Sequence, residues 1–68
     1  PEAEQFFGGA IRKDPAAAIS WVARGICRSE QGKKDQAASD FNYAASLYAQ
    51  RGEVEQAEQL KLAFGNNG

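Results

Sequence analysis

The chain has 68 residues, no histidine, one cysteine and a formal net charge of −1. That length fits one domain or a fragment of a longer helical array, with a marginal core. Cys27 cannot form an internal disulfide, no apolar run approaches the roughly 20 residues of a membrane span, and no dense basic stripe suits nucleic acid.

Alanine is abundant, while β-branched residues are limited to two Val and three Ile. This mix favours helix over strand. A first helix is predicted over 2–13, with Ala3, Phe7, Ala10 and Ile11 on one face. Gly8 and Gly9 each cost about 1 kcal/mol against alanine there, so this helix depends on its neighbour. Asp14-Pro15 ends it, and Asp14 reads as the N-cap of the next helix with Pro15 at the first helical position.

The second helix is predicted over 15–31. Its apolar arc, which includes Ala18, Ile19, Trp21, Val22, Gly25 and Ile26, is about twice the usual width. Neighbours on two sides are therefore expected. Ser20, Arg24, Arg28 and Gln31 fall opposite, so the two guanidinium heads are expected in solvent, with their stems over Trp21 or its neighbours. Gly32 supplies a turn, beside which Lys33-Lys34 reads as a solvated pair.

A third helix over 34–51 carries the stripe Ala37, Phe41, Ala44, Ala45 and Tyr48, with Phe41 expected at the centre of the core. After Gly52, a fourth helix over 53–64 begins with acids that suit its dipole and is expected to bury Val54, Ala57, Leu60 and Phe64. Residues 65–68 are expected to be a disordered tail. The result is an all-α domain over 1–64, built of antiparallel helical hairpins.

Two segments echo one another: Gly32-x-x-x-Gln36-Ala37 and Gly52-x-x-x-Gln56-Ala57. Trp21, Gly25, Gly32, Ala37, Phe41 and Ala44 stand at the spacings of one 34-residue tetratricopeptide repeat. Ala3, Phe7, Ala10 and Pro15 match the second helix of a preceding unit. The chain thus resembles the tetratricopeptide family over residues 3–49. Arg24 and Arg28 depart from it, standing where the family prefers Leu and an aromatic, and Ala49 replaces the closing Pro. Residues 53–64 read either as a polar capping helix or as the second helix of a shifted unit that begins at Lys34.

The candidate chemistry is thin. Asp14, Asp35, Glu53 and Glu55 lie at helix starts, where capping and dipole compensation explain them. Ser20, Ser29, Ser39 and Ser46 have no evident base, and Cys27 has no His partner. There is no Cys/His ligand spacing, no calcium loop and no phosphate loop. No enzyme activity, cofactor or metal is expected.

The resemblance implies a protein-interaction module of scaffold or assembly-factor type, holding a peptide or partner helix in a groove. The family's groove positions fall here on Ile19, Val22, Ile26 and Ser29. The competing reading packs the first three beneath the N-terminal helix. These positions hold no cation and no amide, so a carboxylate clamp is not expected and an apolar anchor is. The alternative function is a structural subunit or self-associating piece of a larger assembly. A protein partner, no nucleic acid, no direct membrane insertion and an intracellular, cytoplasmic setting are the expectations.

Overall fold

The computed structural model describes residues 2–64, with the backbone alone for Glu2 and Phe64. The expected tail at 65–68 and the side chain of Phe64 lie outside the described residues. Four α-helices follow one another: α1 (Glu2–Lys13), α2 (Ala18–Glu30), α3 (Lys34–Gln50) and α4 (Val54–Phe64). No strand occurs among the described residues.

Each helix packs on its chain neighbours: α1 on α2, α2 on α3, α3 on α4. The expected two-sided packing of α2 follows from this order. Along α2 and α3 the partners run in opposite senses. Arg28 and Arg24 reach Asp40, Gly25 meets Phe41, and Trp21 lies against Tyr43. The pair is therefore an antiparallel hairpin. Alanine makes the close approach possible: Ala18, Ala37, Ala44, Ala45 and Ala57 are all buried, together with Phe41 and Leu60.

The two turns after α2 and α3 are copies of one another. Gly32 and Gly52 have φ of 82° and 79°, the left-handed region that glycine enters without a Cβ penalty. In the first turn the Lys33 N–H donates to the Arg28 carbonyl and the Gly32 N–H to that of Ser29. In the second, Glu53 N–H donates to Tyr48 and Gly52 N–H to Ala49. Both are Schellman caps. Five residues on, Ala37 and Ala57 are buried alike, so the sequence echo is also a geometric one. A Cβ added at either glycine meets no atom within 4 Å, so only backbone strain opposes it. Gly32→Ala and Gly52→Ala are each expected to cost about 1–2 kcal/mol. Urea unfolding checks this, as a lower midpoint with unchanged slope.

Four local expectations need correction. Helix α2 starts at Ala18, not Pro15. Asp14 caps no helix; its Oδ1 accepts from the Ala16 N–H and its carbonyl from the Ala17 N–H, which closes a turn around Pro15. The Pro15 carbonyl then accepts from the Trp21 indole at 2.9 Å. Third, Val54 is exposed rather than buried, because it lies about 90° around α4 from the face that buries Ala57 and Leu60.

The fourth correction concerns Arg24 and Arg28, whose heads point inward rather than to solvent. Asp40 is 2% exposed and is the buried charge at the α2–α3 interface. Arg24 donates to it through Nε at 3.0 Å and Nη2 at 2.8 Å, a two-pronged pair. Arg28 donates to the same carboxylate through Nη1 and to Glu4 through Nε at 2.8 Å. Trp21 is met not by a stem but by the Arg24 guanidinium itself, which lies 5.0 Å over the ring. Wheel position placed both arginines on the polar side, but that side of α2 is covered by α1 and α3. The long side chains fill the gap, and a buried carboxylate meets their charge.

Candidate partner-binding groove

Helix α3 crosses between α2 and α4 and holds them apart, because no backbone contact joins α2 to α4. Side chains from the two outer helices converge over α3 instead. Ile19 and Val22 from α2, Tyr48 from α3, and Leu60 and Ala63 from α4 line a concavity of about 290 Å³. Gln56 and Gln59 form its polar rim. Val22 and Tyr48 are half-buried and packed on the core, so they form a fixed floor. Ile19 is 66% exposed and stands at the edge.

Of the four expected site residues, the structure brings Ile19 and Val22 to this concavity. Ile26 is 38% exposed and Ser29 is exposed; both lie farther along α2 and neither lines it. At 66% exposure, Ile19 is not covered by α1. Tyr48, Leu60 and Ala63 were missed as groove residues. The period-20 echo was the available signal, because it sets α4 against α3 as α3 is set against α2.

The polar array on the other side of α2 is a latch for α1. Glu4 accepts from Arg28 at 2.8 Å, Gln31 at 3.1 Å and Lys33 at 3.4 Å. These bonds, that from Arg28 foremost, hold the Glu4 carboxyl well below its usual range, at about 2. Arg24 is pushed above its usual value by its hydrogen bond to Asp40. A depressed carboxyl contributes stability that is complete above its unfolded value near 4.5 and is lost as pH falls towards 2. Glu4 lies at the rim, where solvent screens the pairs, so the effect is local. Amide protection in α1 is expected to decline between about pH 4.5 and pH 2, more in the native chain than in Glu4→Gln. Hydrogen exchange of α1 measures it; equal decline in both would leave Glu4 without a latch role.

Chemistry is sparse at both places. Among the described residues no group of three His, Cys, Asp or Glu is placed to hold a metal ion. No buried side-chain nitrogen or oxygen among them lacks a partner. No helix of the described residues is long and apolar enough to cross a membrane. No protein-family model, curated protein or solved structure matches this chain significantly.

Proposed function

We propose that the chain is a non-catalytic, tetratricopeptide-like interaction module that holds an apolar peptide or helix face of a partner protein. The observation that carries this is the concavity of Ile19, Val22, Tyr48, Leu60 and Ala63, left open because α2 and α4 do not close on each other. Its floor is fixed by core packing, so little ordering cost opposes binding. The lining has no charge, and the rim offers two glutamine amides. Such a surface suits a segment with apolar anchors at helical or alternate spacing.

The likeness to the tetratricopeptide pattern supports the same reading. Gly25 accommodates the Phe41 ring, and Gly32 makes the turn between the paired helices. The chain departs from that pattern where Arg24 and Arg28 replace apolar residues with an ionic pairing.

A random-peptide display library panned on the chain tests the reading. Selected peptides are expected to share apolar residues, and to bind with affinity little changed between low and physiological salt. Ile19→Asp should weaken them at least about tenfold, the loss of about 1.4 kcal/mol of contact. Because Ile19 is exposed, this variant should keep its helicity and melting behaviour. Val22 is the poorer probe, since its packing on the core couples binding to folding. Selection of acidic peptides whose binding collapses with salt would refute the apolar groove.

A further inference from the structure

Among the described residues, α1 and α4 are the two ends of a row in which the backbone of each helix approaches only those of its neighbours in sequence. Each end therefore has a face that no other described helix covers. On α1 this face is a shallow trough of about 580 Å³, lined by Gln5, Phe6, Gly9, Ala10, Arg12 and Lys13. Gly9 and Ala10 give it a small-residue floor, Phe6 is 71% exposed beside it, and Arg12 and Lys13 add two cations to its lining, with Arg12 Nη2 3.9 Å from a Cβ built on Gly9. No acid is among the lining residues.

On α4, Val54, Glu55, Glu58 and Leu62 fall within about 100° of arc, at about 100° per residue. All four are exposed, and Leu62 is 79% exposed. This stripe is turned away from Ala57 and Leu60, which face the core. It pairs two apolar side chains with two carboxylates; Lys61 lies at its margin. One end is thus a cationic trough with a small floor, and the other an acidic ridge with apolar knobs.

We infer that the α4 ridge of one copy docks into the α1 trough of another, so that the chain self-associates head to tail. Val54 and Leu62 would cover Gly9, Ala10 and Phe6, while Glu55 and Glu58 would meet Arg12 and Lys13. The two surfaces differ, so the contact is heterologous and each dimer still presents a free trough and a free ridge. Association then continues into an open row rather than stopping at two. The peptide groove between α2 and α4 is not part of this contact, so the two activities are separable.

Sedimentation velocity over a concentration series tests the inference. The native chain is expected to show a weight-average mass that climbs past twice the protomer with no plateau at a dimer. Raising salt from about 0.1 M to about 1 M, which shortens the screening length from about 10 Å to about 3 Å, should lower that mass. Leu62→Lys spoils only the ridge and Phe6→Lys only the trough. Each variant alone should sediment as a monomer, because every contact needs one of each surface. Mixed, they should form a one-to-one dimer and nothing larger. Both sites are exposed, and circular dichroism verifies that each variant keeps its helix. Charge reversal gives an independent arm: Arg12→Glu/Lys13→Glu should be monomeric alone and associate again with Glu55→Lys/Glu58→Lys. A native chain that stays monomeric throughout overturns the inference. So does a closed dimer, or a mixture of single-surface variants that fails to pair.

Discussion

Replacing Arg24 and Arg28 together by glutamine is expected to abolish cooperative thermal unfolding. Asp40 is nearly fully buried, and its two oxygens are held by these two guanidinium groups. Removing both cations leaves a buried carboxylate without a charge partner, a change that typically costs about 3–5 kcal/mol. A core of this size rarely supplies more than about 3–5 kcal/mol in total. The loss is therefore comparable to the whole stability. Asp40→Ala should cost less than the double arginine change, because both guanidinium groups keep some access to water and Arg28 keeps Glu4. An apolar exchange of the pair, Arg24→Met with Asp40→Leu, should come much closer to native stability, since it removes the buried charge instead of stranding it. Melting followed by circular dichroism distinguishes these outcomes. A shift under about 1 kcal/mol for the double glutamine variant would mean that the pair is solvated, as its place on the helical wheel suggested.

Phe41→Ala should be equally damaging, at about 3–5 kcal/mol, the range for buried aromatic truncation. The ring is buried against the α2 backbone at Gly25, where an added Cβ would sit 2.7 Å from Phe41 Cε1. That contact makes a second measurement possible. In an open helix, Gly25→Ala would gain up to about 1 kcal/mol of propensity. Here it forces the ring aside, and a net loss of about 1–3 kcal/mol is expected. In a Phe41→Leu background the clash is relieved, so the two changes should be non-additive by more than about 0.5 kcal/mol. Additive behaviour would show that Gly25 and Phe41 do not share the contact.

Much of the fold was legible because its punctuation is chemical. Pro15, Gly32 and Gly52 separate segments whose apolar residues recur at helical spacing, and the two glycines adopt the turn their position implies. The ionic layer was not legible in the same way. Wheel analysis sorts residues by face, but it does not reveal which faces another helix will cover. Asp40 stands three residues after Ala37 and four before Ala44, in the middle of the α3 core stripe. A charge at that position required a buried counter-ion, and Arg24 and Arg28, displacing apolar residues in the repeat pattern, were the candidates. The groove was half legible. Ile19 and Val22 followed from repeat register, whereas Tyr48, Leu60 and Ala63 depended on how α4 folds back across α3.

A row in which each helix meets only its predecessor and successor has consequences for kinetics. Its tertiary contacts close short loops, so the entropy lost before contacts form is small and folding is expected to be fast. The α2–α3 hairpin, with the ring of Phe41 and the Asp40 carboxylate between its arms, is where order would begin. Opening should start at the ends, and α1, with Gly8 and Gly9 at its middle, has the least to hold it. An intermediate that has shed α1 would still have α2, α3 and α4, and with them the whole lining of the groove. If the chain binds and assembles as proposed, such a species would keep the groove while losing the trough needed to extend a row. Transient release of that terminal helix would then act as a chain stopper that leaves the groove intact.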